Sequence, residues 1–139
     1  LDQVTLGLTP SAQRLAQLFW PGPLTLVVAR HPNLPPALSP ASGAPATVGV
    51  RMPNHPLALA LLQRCGPLAV TSANRSGAAN TCSAAEVYEQ LSGRIPLILD
   101  GGRSPGGAPS TVIDCTAAQP KILRPGPISE TLIQDCLRG

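Results

Sequence analysis

The stretch Trp20-Pro21-Gly22-Pro23-Leu24-Thr25-Leu26-Val27-Val28 decides how the chain must be built. Its first four residues hold two prolines and a glycine, and a helix does not continue through them. Leucine, threonine and valine follow without a break, which reads as a strand. Upstream, Thr9-Pro10 precedes Ser-Ala-Gln-Arg-Leu-Ala-Gln-Leu-Phe19, an N-cap, a first-turn proline and a short helix ending near Phe19. A helix that stops and turns directly into a strand points to a mixed architecture.

The rest of the chain repeats that alternation. Residues 31–45 carry five prolines and no periodic pattern, so they read as a long loop. Ala46–Arg51 is a second strand, and Asn54 is placed to cap a helix running from Pro56 to Arg64. Pro67–Thr71 reads as a third strand, buried on both faces because its apolar residues do not alternate with polar ones. Ser83-Ala-Ala-Glu86 is a capping box that opens a helix to about Leu91, closed by Ser92-Gly93. Ile95–Leu99 is a fourth strand. Ser110–Asp114 and Lys121–Leu123 follow a glycine-rich turn, and Ser129 caps a last helix ending near Arg138. The predicted fold is α/β or α+β, one domain over residues 1–139 with a mixed sheet and flanking helices.

Composition narrows the function classes. Hydrophobic residues make up 43% of the chain, yet the aromatics are only Phe19, Trp20 and Tyr88, so the core must be aliphatic. Charged residues reach only 12%, too few for a coiled coil. The 17 prolines and 13 glycines punctuate apolar runs instead of forming repeats, which argues for a turn-rich folded domain over low complexity. The net charge is +3 with nine arginines scattered along the chain, so no basic arm binds nucleic acid by charge alone. Cys65, Cys82, Cys115 and Cys136 form no Cys-x-x-Cys pair, and His31 and His55 lie outside metal-ligand spacing; no metal site is expected. No secretory signal opens the sequence and no apolar run spans a bilayer. The expected setting is the cytoplasm, with reduced thiols.

Candidate chemistry lies at strand ends. Thr71-Ser72-Ala73-Asn74-Arg75-Ser76-Gly77 offers hydroxyls, an amide and backbone N–H groups, either to an anion or nucleotide or to its own turn. Asp100–Gly107 follows an apolar run but leads to another strand, so it is neither a P-loop nor a dinucleotide fingerprint; it reads as an anion nest or a hairpin turn. Arg51 ends the strand 46–51 and Arg124 follows the strand 121–123, and both suit a phosphate or carboxylate clamp, or simple solvation. No Gly-x-Ser-x-Gly and no evident Ser–His–Asp set occurs, leaving positioning and electrostatics over covalent catalysis.

Phe19–Thr25, Val48–Pro53, Thr71–Gly77, Asp100-Gly101-Gly102, Ser110–Asp114 and Leu123-Arg124-Pro125-Gly126 occur in that order. This set resembles the YrdC/TsaC family of threonylcarbamoyl-AMP synthases. The resemblance implies a YrdC-like twisted sheet of parallel and antiparallel strands around a positively lined cavity. It implies synthesis of threonylcarbamoyl-AMP and pyrophosphate from L-threonine, bicarbonate and ATP. ATP is then a substrate accompanied by Mg2+, and no prosthetic group is involved. The product serves modification of adenosine 37 in tRNA through a downstream complex; direct contact with tRNA or double-stranded RNA also falls within the resemblance.

By position, Thr47, Asn74, Cys82 and Arg124 match ATP-contacting residues, and Arg51, Ser72 and Ser110 match threonine-holding ones. Ser72 and Asn74 match the Ser-x-Asn placed at the reaction centre. Cys82 stands where the family usually has Thr or Ser, a weaker donor. The family's opening strand, its Pro-Thr-Asp-Thr-Val-Tyr-Gly-Leu-like segment and its Lys-x-Arg motif have no counterpart in the 139 residues. The chain therefore looks like the family's C-terminal two thirds, N-terminally truncated. Alternative readings are an RNA-binding or degenerate YrdC-like module and the YrdC-like domain of a hydrogenase maturation carbamoyltransferase.

Overall fold

A computed structural model describes residues 1–35, 38, 46–104 and 108–138. The chain divides into two compact units, one formed by Leu1–Leu68 with Ala108–Gly139 and the other by Ala69–Gly107.

In the first unit, helix α1 (Pro10–Phe19) starts as its sequence predicts: the Thr9 hydroxyl accepts a hydrogen bond from the Ala12 N–H at 3.2 Å. Strand β1 (Leu24–Ala29) follows, then β2 (Thr47–Val50) and helix α2 (Pro56–Cys65). The unit resumes with β3 (Thr111–Asp114), β4 (Lys121–Arg124) and helix α4 (Glu130–Arg138); helix α3 (Ala84–Leu91) belongs to the second unit. Four strands form one sheet in the order β2-β1-β3-β4. β1 runs antiparallel to β2 and parallel to β3, and β4 closes antiparallel on β3, so the sheet is mixed as expected.

Alternation along β1 sorts its side chains. Leu24, Leu26 and Val28 are buried, while Thr25 and Val27 are only half-buried. The inward set joins Ala12 and Leu15 of α1, Val50, Ile113, Cys115, Ile128 and Ile133 of α4 in one aliphatic core. Phe19 and Trp20 pack at its margin, and the Trp20 indole N–H donates to the Leu24 carbonyl at 2.8 Å. The N-terminal segment is strapped on by a bridge between Thr5 and Arg30. Thr111, fully buried, ties the turn after β4 to the sheet: its hydroxyl accepts from Ile128 N–H at 3.1 Å and donates to Ile128 C=O at 3.2 Å.

Three expectations are corrected. Pro67–Thr71 and Ile95–Leu99 form no strands and are not buried: Val70 is 84% exposed and Leu97 69%. An apolar run becomes a buried strand only when a neighbouring strand pairs with it, and neither run has a ladder partner among the described residues. At α2 the capping position is His55, with no side-chain bond to the first turn, so Asn54 does not cap. Most of the 31–45 loop and residues 105–107 lie outside the described residues.

In the second unit, the Ser83 hydroxyl accepts from Glu86 N–H at 3.3 Å, as a capping box requires. The Glu86 carboxylate, however, reaches past Ser83 and accepts from Cys82 N–H at 2.7 Å. That bond, chiefly, holds the Glu86 carboxyl below its ordinary pKa.

Replacing Thr111 by Val keeps the shape but strands the buried Ile128 N–H and C=O; urea unfolding is expected to show a loss of about 2–4 kcal/mol. Burial, and secondarily the Asp114 charge, pushes the Cys115 thiol up to about 11. An unfolded chain ionises that thiol from about pH 8.5. Stability is therefore expected to fall as pH rises from there towards 11, because only the unfolded state gains the thiolate. Urea midpoints at neutral and alkaline pH should show a smaller decline in Cys115→Ala than in the unaltered chain.

Candidate active site

One end of the sheet in the first unit collects the start of β1, the end of β2, the start of β3 and the end of β4. Leu26 pairs with Val50 and Leu24 with Thr111, which sets Arg51 and Ser110 on either side of Thr25, each one strand away. Neighbouring strands lie about 4.8 Å apart and Ser110 sits two residues below the level of Thr25 in the β1–β3 register, so the backbones of Arg51 and Ser110 are about 12 Å apart through space.

Arg51 is exposed, and its Nε donates to the Gly22 carbonyl at 2.9 Å. The Gly22 N–H returns a bond to Met52 C=O at 2.8 Å, so the Trp-Pro-Gly-Pro turn grips the residues after β2 from both sides. A Cβ at Gly22 would collide with the Phe19 carbonyl, which explains glycine there. The two terminal nitrogens of Arg51 keep their N–H donors, a fork with the geometry of a carboxylate or phosphate.

Arg124 at the end of β4 is tied more tightly. Its Nε and one terminal nitrogen donate to the Ser110 carbonyl at 3.2 and 3.0 Å, and that nitrogen also donates to Ser110 Oγ at 3.2 Å. Ser110 Oγ in turn lies 2.7 Å from Thr25 Oγ1. Gly126 makes this arrangement fit: a Cβ there would lie 2.7 Å from Pro109 O and Ser110 C and closer still to Thr111 N. Among the described residues neither arginine has an acidic partner; the ion pairs are Arg103–Glu86 and Arg138–Asp135. The acid on β3, Asp114, is occupied by Thr116, whose hydroxyl and then N–H hold its carboxyl below the usual range.

Ser110 and Arg124 are thus bonded to each other, with Arg51 nearby. Thr47 stands at the far end of β2, paired with Ala29, about 13 Å along the strand from Arg51. Ser72, Asn74 and Cys82 belong to the second unit. There the Asn74 amide donates to Arg75 C=O and Ala78 C=O at 3.0 and 2.9 Å, so its N–H groups satisfy their own turn. Its Oδ1 is buried and without a partner among the described residues. Ser72 is exposed, Thr81 ties the turn through Ala73 C=O, and Gln90 of α3 holds it by Arg75 N–H and Ala79 C=O. Cys82 is half-buried, and its carbonyl accepts from Ser104 N–H at 2.8 Å. Asp100 Oδ1 accepts from Gly102 N–H at 2.8 Å, a turn closed on itself.

Thr25 is the functional candidate that motif reading passes over. Its signal is a hydroxyl on the outward side of a strand whose inward positions are all aliphatic.

The sequence profile of the Sua5/YciO/YrdC family, described as "Telomere recombination", matches residues 1–126, and the chain belongs to that family. A Mycobacterium tuberculosis relative is 41% identical over 137 residues, 99% of this chain and 62% of its own length. The Bacillus subtilis protein named threonylcarbamoyl-AMP synthase is 43% identical over 136 residues, covering 96% of this chain and 38% of its own. The crystal structure of Pyrococcus abyssi Sua5 complexed with L-threonine superposes with a TM-score of 0.87 at 39% identity, over 98% of this chain and 39% of that one. The chain thus spans about three fifths of the mycobacterial relative and less of the other two.

Gly126→Ala is expected to destabilise the chain by about 1–3 kcal/mol through forced backbone movement. Its urea midpoint should fall, and the amide signals of Ser110 and Thr111 should shift most.

Proposed function

We propose that this chain carries the substrate-binding part of an L-threonylcarbamoyladenylate synthase. The carrying observation is Arg51: a guanidinium anchored by Nε, with no acidic partner among the described residues and its outer fork open. A fork of that kind matches the carboxylate of an amino acid. In this reading Arg51 takes the L-threonine carboxylate and Ser110 a further polar atom of it, and Ser72 is assigned to L-threonine by the family resemblance alone. Arg124, Thr47, Asn74 and Cys82 serve ATP, where Arg124 supplies positive charge and the buried Asn74 Oδ1 an acceptor.

The amine of L-threonine combines with bicarbonate, losing water, to give a carbamate. A carbamate oxygen then forms a bond to the α-phosphorus of ATP as pyrophosphate leaves. Charge on both reactants is what such a step must manage, and fixed donors suit it better than a nucleophilic side chain. Ser72 and Asn74 orient the reacting groups in this scheme. Among the described residues no group of three His, Cys, Asp or Glu gathers to hold a metal, so Mg2+ would be held chiefly by the nucleotide phosphates. The product serves adenosine 37 of tRNA in the cytoplasm through a downstream complex. Named relatives and the threonine-bound Pyrococcus abyssi neighbour support the reading.

Isothermal titration of L-threonine and ATP into the chain tests it. L-threonine is expected to bind, and Arg51→Ala to weaken it about 10- to 100-fold, the worth of a charged hydrogen-bonded pair, with ATP affinity within about threefold. No heat from either ligand, or an Arg51→Ala chain that binds L-threonine unchanged, would overturn it.

A further inference from the structure

We propose that Thr25 is a positioning residue for the amino-acid substrate: it fixes the direction of the Ser110 hydroxyl. The proposal rests on the reading above, in which Ser110 faces L-threonine.

The Ser110 carbonyl alone takes two donors from Arg124, so that arginine stays in place whatever the Ser110 side chain does. The hydroxyl has a single rotatable bond to its carbon frame, and its short contact is the one to Thr25, at 2.7 Å against 3.2 Å to Arg124. Thr25 is well suited to hold it. It lies on the central strand, hydrogen-bonded on both sides by β2 and β3, so its backbone cannot shift alone. Its β-branched side chain has few rotamers.

The two branches of Thr25 are also sorted by their neighbours. Its methyl points towards β2, where a Cβ on Gly49 would come within 3.4 Å of Thr25 Cγ2; its hydroxyl points towards β3 and Ser110. When Thr25 is the donor of the pair, Ser110 keeps its own O–H proton beside the Arg124 guanidinium that also reaches its Oγ. A donor next to a cation suits an anionic or carbonyl oxygen of the substrate.

The test uses the chain with Thr25→Val, which removes the hydroxyl at constant shape, and Thr25→Ser, which keeps it. The Hα–Hβ couplings of Ser110 are expected to report one staggered rotamer in the unaltered chain and averaging in Thr25→Val. L-threonine affinity should fall about 3- to 10-fold in Thr25→Val, the range for one neutral hydrogen bond, and return to within about twofold in Thr25→Ser. ATP affinity should stay within about twofold in both. Averaged Ser110 couplings in the unaltered chain, or couplings unchanged by Thr25→Val, overturn the proposal. So does a Thr25→Val chain that binds L-threonine as the unaltered one does. If the unaltered chain takes up no L-threonine while the couplings respond as stated, positioning is upheld and the substrate reading fails.

Discussion

Leu24 pairs in parallel with Thr111, Thr25 with Val112 and Leu26 with Ile113, joining two segments with most of the chain between them. Closing so long a loop costs conformational entropy, and the ladder repays it by burying Leu24, Leu26 and Ile113 completely. Every other feature of the sheet hangs on that pairing. β2 reaches the sheet only through β1, and β4 only through β3. If the ladder slipped by one residue, the pleat would turn the inward leucines outward and part Thr25 from Ser110.

The pleat also divides the work between neighbouring residues. Thr111 points inward and pins the Ile128 backbone, while Ser110 meets Thr25 and Arg124. A buried structural tie and a candidate-site hydroxyl thus sit one residue apart at the start of β3, under different chemical demands. Glycines 22 and 126 serve this end of the sheet from outside the strands, each where a side chain would strike a backbone. The shared requirement is close approach: the Gly22 carbonyl reaches Arg51, and Gly126 lets the turn after β4 pass against Pro109–Thr111, where the Ser110 carbonyl holds Arg124.

Much of the fold was readable from local pattern. The Thr9 cap, the Trp-Pro-Gly-Pro stop, β1, the Ser83 box and the closing strands all use signals within a few residues of each other. Pro67–Thr71 and Ile95–Leu99 look like strands in sequence but are not, because apolar content reports a tendency to burial, not the presence of a pairing neighbour. Site residues divide in the same way. Arg51 and Arg124 are legible, since an arginine closing an apolar strand is conspicuous. Thr25 is not, for its role exists only once Ser110 is beside it. The edge that carries the candidate site joins the carboxyl ends of β2 and β4 to the amino ends of β1 and β3, so a search of carboxyl ends finds only half of it.

By itself the sequence determined the aliphatic core, the helix starts, the turn glycines and the stock of arginines, because each depends on composition or on spacing within one element. It also carried, in its ordered motifs, membership of the family to which the chain belongs. Only the tertiary structure decided that Ser110 and Arg124 are bonded, that Thr25 stands between Arg51 and Ser110, and that Arg51 keeps an open fork with no acid on it among the described residues. Those are relations between strands brought together by one long-range ladder, and no local pattern along a chain encodes which distant hydroxyl will lie 2.7 Å away.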